Sequence, residues 1–510
     1  MPNEHFDVLI VGAGLSGIGA AYRLQTLCPG KRYAVLEARE TLGGTWDLFR
    51  YPGIRSDSDM FTLGYPFRPW RAARAIADGA AILEYIQDTA KEFGIDAHIR
   101  FSHRVEAASW SSAESRWTVR VRRAGQDAVQ NLSCSFLYIC SGYYDYSNGH
   151  SPTFPGMEEF GGRTIHAQHW PRDYSYRDKR VVIIGSGATA ITLVPAMSAE
   201  AAHVTMLQRS PSYVASLPAR DAVADLLRRH LPEGFAHRLA RWKNALIGLA
   251  FYQLCRRAPR FASRLLQDRV ARQLPAGYDV ERHFRPRYAP WDQRLCLVPN
   301  GDLFKTLRAG KASIVTDEID RFIPAGLRLK SGQELPADLV VLATGLKLQA
   351  CGGMRLEVDG RPVQLGDTLA YRGVLLSGLP NMAFCVGYTN ASWTLRADLS
   401  SIYVCHLLQY MDDNKLVACV PRLGEGSTEA RPLLELTSAY VRRAGADLPK
   451  QGTVRPWRLM QNYLIDWVDF RFRGVRESSL HFFASARLIR LSQTLRHDAE
   501  LARRPVARAA

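Results

Sequence analysis

The stretch FDVLIVGAGLSG, residues 6–17, decides the fold. Its first half, residues 6–11, is a short apolar run of the kind that forms a strand buried on both faces of a parallel sheet. Its second half has glycines in the spacing G-x-G-x-x-G, at Gly12, Gly14 and Gly17. An apolar helical stretch follows up to Cys28, and a second strand pattern then covers residues 32–38. This order of strand, glycine-rich turn, helix and strand predicts one βαβ unit.

Each glycine of this turn has its own physical task. Gly12 permits the tight turn, Gly14 lets the backbone approach a pyrophosphate, and Gly17 lets the helix pack closely on the strand. The N-terminus of the helix then faces the anion. Glu37 ends the second strand 20 residues after Gly17, where a carboxylate can accept a hydrogen bond from a ribose hydroxyl. The pattern predicts a bound adenine dinucleotide, and a purely structural turn is the alternative.

The pattern recurs in the middle of the chain. A strand is predicted over 180–185, a turn over Gly185, Ser186, Gly187, Ala188, Thr189 and Ala190, a helix to about 198, and a strand over 203–208. Ala190 stands where the third glycine would be, which is a tolerated variant. Arg209 and Ser210 follow this second strand instead of an acid, and a cation there suits a 2′-phosphate. NADPH is therefore predicted as the second nucleotide, unless Arg209 only extends from the strand end into solvent.

The segment 216–288 differs from its surroundings, because it lacks alternating strand patterns and is rich in Leu, Ala and Arg. We therefore predict an α/β fold of two Rossmann-like dinucleotide-binding domains, one for FAD and one for NADP, with a helical insertion. The predicted domain boundaries place the first part of the FAD domain at 1–145, the first part of the NADP domain at 146–215, the insertion at 216–288, the second part of the NADP domain at 289–345, and the second part of the FAD domain with a C-terminal region at 346–510.

Composition restricts the partners. The net charge of +17 is concentrated near 220–287 and in the Arg-rich end from 471 onward, but no nucleic-acid motif accompanies it, so a solvated basic face and no nucleic-acid partner are predicted. The segment 241–260 mixes an apolar run with arginines; a core helix is expected there, and peripheral membrane contact is the alternative. No leader is recognisable and no run reaches the roughly 20 apolar residues of a spanning helix, which predicts a cytoplasmic protein.

The nine cysteines are scattered, with no C-x-x-C pair and no Cys/His cluster of zinc spacing, which predicts reduced, mostly buried thiols. A flavin reduced by NADPH commonly passes its electrons to a disulfide, an electron carrier or oxygen. The sequence has neither a redox-active cysteine pair nor a visible iron–sulfur or haem site. Oxygen is therefore the predicted electron acceptor.

Two motifs carry a resemblance to a known family. The first is Phe160-x-Gly162-x₃-His166-x₃-Trp170-Pro171, and the second is Gly43-Gly44-x-Trp46-x₄-Tyr51-Pro52-Gly53-x₃-Asp57. They resemble the Baeyer–Villiger monooxygenases, the ketone-oxidising branch of the class B flavoprotein monooxygenases, and the resemblance covers nearly the whole chain. The related N- and S-oxidising enzymes usually end the first motif with an aromatic residue and Lys. The resemblance implies an NADPH- and O₂-dependent FAD enzyme that uses a C4a-peroxyflavin to convert ketones to esters or lactones, and also oxidises sulfides and thioamides.

The resemblance also implies roles for individual residues. Arg294 matches the family's active-site arginine, Asp57 the carboxylate that pairs with it, and His166 and Trp170 a linker that couples the two domains. FAD contacts are implied for Ser16, Glu37, Gly44, Thr45, Trp46, Asp47, Leu48, Asp57 and Val105. NADP contacts are implied for Gly185 to Ile191, Arg209 and Ser210, with Arg55 and Ser56 beside the nicotinamide. Where several members have Lys before the arginine, this chain has Gln293, so NADPH preference would depend more on Arg209.

Two other functions stay open at this point. One is an N- or S-oxidising flavin monooxygenase without Baeyer–Villiger activity. The other, from a different class, is a redox sensor that binds both nucleotides without turnover.

Overall fold

A computed structural model describes residues 4–126, 128–424 and 428–485. The distal part of the Arg-rich C-terminal segment, from residue 486, lies outside the described residues. Two sheets organise the described chain: the first is mixed, with Arg116–Arg123 antiparallel to both of its neighbours, and the second is parallel. A helical segment projects from the second.

The first sheet contains the opening strand at its centre. Residues 8–11 of His5–Val11 and all four residues of Tyr33–Leu36 are buried, as expected for strands covered on both faces. Val129–Ile139 pairs in parallel with His5–Val11 on the other side, and Met382–Phe384 continues the parallel arrangement beyond it. In order across the sheet, the strands are Arg361–Pro362, Arg355–Val358, His103–Ser111, Arg116–Arg123, Val129–Ile139, His5–Val11, Tyr33–Leu36 and Ile99–Arg100, with Ala370–Tyr371, Leu375–Leu376 and Met382–Phe384 branching from Val129–Ile139.

The second sheet is entirely parallel, as the recurring pattern predicts. Arg180–Ile184 lies at its centre, and the strand His203–Gln208 follows it through the helix Ala188–Met197. In order, the strands are Ala312–Thr316, His203–Gln208, Arg180–Ile184, Leu339–Leu342 and Arg163–His166. The two βαβ units thus confirm the α/β prediction.

A two-stranded antiparallel ribbon joins the two sheets. Tyr144–Gly149 leaves the first sheet and pairs with Leu346–Leu348, which leaves the second. The His166 ring packs on this ribbon, because a Cβ built on Gly149 would lie 2.1 Å from its Cε1. Gln168 donates from Nε2 to the carbonyl of Asp145 over 2.9 Å. The motif around His166 therefore contacts the connection between the sheets and does not line the cavities described below.

The helical insertion is present. Two of its helices begin after an aspartate whose side chain accepts a hydrogen bond from a free backbone N–H: Asp221 accepts from Ala224 N, and Asp279 accepts from Arg282 N. A third begins with Pro259, which has no N–H that needs a partner. The helices are Ala222–His230, Glu233–Arg257, Pro259–Ala271 and Val280–Phe284. A small parallel pair, Val214–Leu217 with Cys296–Pro299, closes the base of the insertion.

The remaining elements cover the two sheets. The other helices are Leu15–Leu27, Thr45–Leu48, Met60–Leu63, Gly79–Glu92, Asp302–Arg308, Trp393–Asp413, Ala439–Ala444 and Tyr463–Phe472. The remaining strands are Ile319–Ile323 with Gly326–Leu329 and Glu334–Pro336, Ala418–Pro421 with Leu480–Phe483, and Arg431–Pro432 with Lys450–Gln451.

The segment 241–260 forms most of the long helix Glu233–Arg257 and the start of the next. Ala245 and Cys255 are buried, whereas Ile247 is 60% exposed, so the segment is neither a fully buried helix nor a uniformly apolar one. Among the described residues, no helix combines the length and the apolar character needed to cross a membrane. All nine cysteines are free and buried, which confirms the prediction of reduced thiols.

Candidate active site

The first glycine-rich turn has the geometry that its sequence requires. Gly12 has a φ of 103°, and a Cβ there would lie 2.8 Å from the carbonyl oxygen of Cys140. A Cβ on Gly17 would lie 1.8 Å from the carbonyl oxygen of Gly12, so only glycine lets the helix start this close to the strand. Gly14 precedes the helix Leu15–Leu27, and a Cβ on Gly14 would have the Gly44 Cα as its nearest neighbour, at 3.6 Å. The N-terminus of the helix is therefore accessible to an anion.

Glu37 lies at the end of the second strand, as predicted. Its Oε2 accepts a hydrogen bond from Ala13 N over 2.7 Å, and its Oε1 accepts one from Arg39 N over 2.9 Å. Burial raises the pKa of the Glu37 carboxyl, and the two backbone bonds partly counteract this effect. A carboxylate can accept about four hydrogen bonds, so both oxygens keep capacity for a ribose hydroxyl.

These residues surround one cavity of about 520 Å³. The cavity lies at the carboxyl ends of the parallel strands of the first sheet, where open α/β sheets bind ligands. The predicted site residues that line it are Gly12, Gly14, Ser16, Glu37, Gly44, Thr45, Trp46, Arg55, Ser56, Asp57, Val105 and Arg294.

Three residues predicted for the same cofactor do not line this cavity. Gly17 lies behind the turn, and Leu48 packs against the core of the second sheet. Asp47 is buried and forms ion pairs with Arg39 at 2.5 Å and Arg50 at 2.8 Å. Burial alone raises the pKa of the Asp47 carboxyl. The hydrogen bond from Arg39 and the charges of Arg39 and Arg50 together outweigh that effect, so the pKa lies below its ordinary value. Asp47 thus fixes the segment that carries Thr45 and Trp46.

Aromatic residues that the sequence did not predict complete the cavity wall. Trp393 donates from Nε1 to the Ser16 hydroxyl over 2.7 Å and packs against Tyr143, with ring centroids 5.0 Å apart. Tyr146 contacts Thr45 over 3.4 Å between their hydroxyl oxygens. Their position in the sequence could have indicated this role, because both follow strands whose carboxyl ends meet at the cavity. Tyr143 follows Val129–Ile139, and Trp393 follows Met382–Phe384, which pairs in parallel with Val129–Ile139.

Arg294 lies at the junction of this cavity and a second one. Its Nη2 donates to the Tyr143 hydroxyl over 2.8 Å. The predicted ion pair with Asp57 is not formed within the described part of the chain; Tyr143 is the hydrogen-bond partner instead, because it projects from the strand end into the same junction. The nearby Tyr143, and more weakly Asp57, hold the pKa of Arg294 well above its ordinary value. A permanent cation therefore faces both cavities.

The second cavity has a volume of about 630 Å³ and is mostly apolar. It shares Asp57, Ser58, Arg294 and Ala391 with the first cavity. The insertion supplies one wall through its two long helices, and the strands Val214–Leu217 and Cys296–Pro299 supply another. Apolar side chains from these elements include Leu217, Val223, Ile247, Phe251, Leu265, Leu266, Trp291, Leu295 and Leu297. The insertion thus shapes a compartment next to Arg294.

The second glycine-rich turn repeats the geometry of the first. Gly185 has a φ of 142°, and a Cβ there would lie 2.4 Å from the carbonyl oxygen of Ala343. Gly187 precedes the helix Ala188–Met197, and a Cβ there would have no neighbour within 4 Å among the described atoms. Ala190 is buried, as expected at the third glycine position. The Ser186 hydroxyl donates to the carbonyl of Ser210 over 2.9 Å, so the turn and the strand end are joined.

The other predicted nucleotide residues lie around this turn and the junction. Arg209 and Ser210 are exposed directly after His203–Gln208. Gln293 precedes Arg294 in a loop, and Arg55 forms an ion pair with Asp302 at the start of the helix Asp302–Arg308. The residues Gly185 to Ile191, Arg209, Ser210 and Gln293 do not line either of the two cavities.

Comparison with known proteins agrees with this architecture. Residues 73–223 match the Flavin-binding monooxygenase-like family, and residues 10–77 match the NAD(P)-binding Rossmann-like domain. The chain is 56% identical over 480 residues to the FAD-containing monooxygenase EthA of Mycobacterium tuberculosis, covering 94% of this chain and 98% of the relative. It is 53% identical to EthA of Mycolicibacterium smegmatis, covering 94% and 97%.

The fold is also similar to that of solved monooxygenase structures. A solved structure described as oxidized steroid monooxygenase bound to NADP superposes with a TM-score of 0.73 at 21% identity, covering 94% of this chain and 99% of that one. That likeness shows the two-sheet architecture alone. The identity to EthA over nearly the full length of both chains shows the family: this protein belongs to the flavin-binding monooxygenases.

Proposed function

We propose that this protein is an FAD- and NADPH-dependent monooxygenase that inserts one atom of O₂ next to a ketone carbonyl, forming an ester or lactone. The balanced reaction consumes a ketone, O₂, NADPH and a proton and yields the ester, NADP⁺ and water. The observation that carries the proposal is the position of Arg294, a partly buried, permanently charged group at the junction of a dinucleotide cavity and an apolar cavity.

The first cavity fits FAD. In the Gly12–Gly17 turn, a Cβ on Gly12 or Gly17 would clash with the backbone, and the N-terminus of the helix Leu15–Leu27 is positioned for a pyrophosphate. Glu37 would accept from the ribose, and Val105 lines the cavity close to it. FAD, when bound and reduced, supplies the two electrons and the activated oxygen for the reaction. Trp393 and Tyr143 would exclude water from the end of the cavity near Arg294.

Arg294 would stabilise the negative charge that develops on the carbonyl oxygen of the ketone as it is attacked. A fixed cation in a site with little water contributes on the order of 3 kcal/mol to such a step. Tyr143 holds the guanidinium by a hydrogen bond, so Arg294 need not reorganise during the reaction. Asp57 lines the same junction and would balance part of the charge without neutralising it.

The apolar cavity indicates the substrate class. Most of its lining is aliphatic or aromatic, and Arg294 lies where it meets the first cavity. A ketone with a sizeable apolar chain would bury that chain here and direct its carbonyl toward Arg294. The insertion would therefore govern which ketones are accepted.

The second turn would hold NADPH. Gly187 begins the helix Ala188–Met197 with open space in front of it, and Arg209 lies exposed where a 2′-phosphate would be. Preference for NADPH over NADH would depend mainly on Arg209, because Gln293 provides no charge.

The same enzyme would oxidise sulfides and thioamides. Attack by sulfur leaves no carbonyl oxygen to be stabilised, so this activity would depend less on Arg294. This difference separates the proposal from an N- or S-oxidising enzyme without ketone activity.

The test is a turnover experiment under ¹⁸O₂ with a panel of linear and cyclic ketones. We expect ketone-dependent NADPH consumption and an ester that contains one labelled oxygen atom. A protein that consumes NADPH but releases only hydrogen peroxide with every ketone, while oxidising sulfides, would contradict ketone oxidation. A protein that contains FAD and consumes no NADPH with any substrate would indicate a sensor.

A further inference from the structure

We propose that the second cavity ends in a subsite for a carboxylate, formed by Arg220 and Arg269, so that the enzyme prefers linear oxo acids among ketones. This inference rests on the ketone oxidation proposed above for its catalytic consequence, although binding of the carboxylate can be measured without turnover.

The two arginines differ from most of the cavity lining. Both line this mostly apolar compartment, and both are exposed, so they lie where it opens to solvent. Neither forms an ion pair with a carboxylate anywhere in residues 4–126, 128–424 or 428–485. Two guanidinium groups at the mouth of an apolar cavity are complementary to an anionic group carried on an apolar chain.

Three carboxylates line this cavity: Asp57 lies at the junction with Arg294, and the other two are already engaged elsewhere. Asp221 accepts from Lys243 Nζ over 2.6 Å and from the backbone N of Ala224 over 3.0 Å. These contacts outweigh its burial and lower the pKa of the Asp221 carboxyl. Asp59 accepts from Thr62 N over 3.0 Å and from Asn244 Nδ2 over 2.9 Å. Neither carboxylate therefore neutralises the two arginines.

Strand geometry separates Arg220 from Arg294. Cys296 N donates to the carbonyl of Tyr213 over 2.9 Å, so the strand Val214–Leu217 begins beside the segment that follows Arg294. Leu217 lies four residues beyond Tyr213, roughly 13 Å away at about 3.3 Å per residue. Arg220 follows this strand end. The arginine that would meet the carbonyl and the one that would meet the carboxylate thus lie at opposite ends of the strand.

The insertion helix Pro259–Ala271 also runs from the end of the cavity near Arg294 toward the end near Arg220. Leu266 packs against Tyr213 and Leu295, at the end near Arg294. Arg269 follows one turn later, toward Gln273, whose side chain approaches Gly301 at the far end. The chain between the two charged ends would contact mostly apolar side chains, with Asn244 and Ser216 among the polar exceptions. A linear acid with its ketone several methylene groups from the carboxylate satisfies both ends at once.

Binding of non-reactive ligands tests the subsite directly. The holoenzyme is titrated calorimetrically with decanoate and with methyl decanoate, which differ only in the charge of the terminal group. We expect R220Q/R269Q to weaken decanoate binding about 10-fold, as for exposed charge-assisted hydrogen bonds, and to leave methyl decanoate unchanged. The matched control is R229Q/R264Q, which removes the same charge from exposed positions of the same insertion that do not line the cavity.

Equal weakening for both ligands, or the same loss in R229Q/R264Q, would overturn the subsite. Sedimentation with phosphatidylglycerol vesicles separates a lipid headgroup from a free acid. If R220Q/R269Q lowers vesicle binding and leaves decanoate affinity unchanged, the arginines serve a membrane surface and the proposal is wrong.

Turnover of 9-oxodecanoate and its methyl ester then connects the subsite to catalysis. We expect R220Q/R269Q to raise KM for the acid about 10-fold at constant kcat and to leave the ester unaffected. If neither compound is oxidised while decanoate binding still depends on the two arginines, the proposed ketone oxidation fails and the carboxylate subsite stands. If the ester is oxidised and the acid shows no dependence on the arginines, only the subsite fails.

Discussion

The Arg294 guanidinium donates a hydrogen bond from Nη2 to the Tyr143 hydroxyl over 2.8 Å, where the dinucleotide cavity meets the apolar cavity. Tyr143 follows a strand of the first sheet, and Arg294 precedes a strand beside the insertion. The contact therefore couples the position of the cation to the packing of both parts.

Tyr143→Phe removes this hydrogen bond and leaves the ring packing on Trp393 intact. We expect kcat for ketones to fall roughly 10-fold, the effect of losing a charge-assisted hydrogen bond of about 1.5 kcal/mol. Sulfide oxidation should change less than twofold. Steady-state kinetics on both substrates measure the effect, with Tyr146→Phe, which lies at the Thr45 end of the cavity, as the control. Equal losses on ketone and sulfide would argue against a positioning role for Tyr143.

The two glycine-rich turns predict opposite responses to alanine. A Cβ on Gly17 would lie 1.8 Å from a backbone oxygen, so Gly17→Ala should push the helix off the strand and yield protein with little FAD and a lower Tm. A Cβ on Gly187 would meet no described atom within 4 Å, so Gly187→Ala should fold with normal FAD content. Flavin absorbance and thermal unfolding measure both. Normal FAD content in Gly17→Ala would contradict the packing argument.

Nucleotide preference depends on charge at the end of the strand His203–Gln208. We expect Arg209→Gln to raise KM for NADPH by about 10-fold or more and to leave KM for NADH unchanged, since only NADPH carries the 2′-phosphate. Gln293→Lys should act in the opposite direction and increase the preference for NADPH. Arg177→Gln, an exposed cation paired with Glu200, is the control. An unchanged NADPH preference in Arg209→Gln would remove that arginine from the phosphate site.

Acid sensitivity should depend on His237. Its ring is buried against the carbonyl of Tyr65, and burial together with the nearby Arg241 lowers the pKa of His237 to about 4. The unfolded chain binds a proton below about pH 6.5, whereas the folded chain does so only near pH 4, so stability falls as the pH falls through this window. The loss approaches 3 kcal/mol at about 1.4 kcal/mol per pH unit.

Thermal unfolding between pH 4.5 and 7.5 tests this dependence. His237→Gln should flatten the decline of the apparent Tm at low pH, while His230→Gln, at an exposed position of the neighbouring helix, should keep it. An identical pH profile for wild type and His237→Gln would assign the acid sensitivity to other groups.

The backbone requirements of the site could be predicted from sequence, because residue type expresses them. Gly12, Gly17 and Gly185 occupy conformations or close approaches that only glycine permits, and the strands around them read as apolar runs. The helical insertion was also predictable, since residues 216–288 lack alternating strand patterns and are rich in Leu, Ala and Arg, and helices do form there.

The side-chain partners could not be predicted in the same way. Tyr143 and Arg294 are 151 positions apart, and Ser16 and Trp393 are 377 apart, so their contacts depend on how the sheets and the insertion pack. The expected Asp57–Arg294 ion pair shows the same difficulty. Both residues line the junction, but which group accepts from the guanidinium depends on how the segments that carry the tyrosine and the carboxylate pack together. The cofactor contacts of individual residues and the domain boundaries stay predictions.

The central claim is that Arg294 serves ketone oxidation through its charge. The most direct measurement compares Arg294→Ala with wild type for two products, the ester from a ketone and the sulfoxide from a sulfide, each per NADPH consumed under the same conditions. We expect ester formation to fall by about 100-fold or more, with the NADPH diverted to hydrogen peroxide, while sulfoxide formation stays within a few fold of wild type. Ester formation that persists in Arg294→Ala at the wild-type yield would contradict the claim.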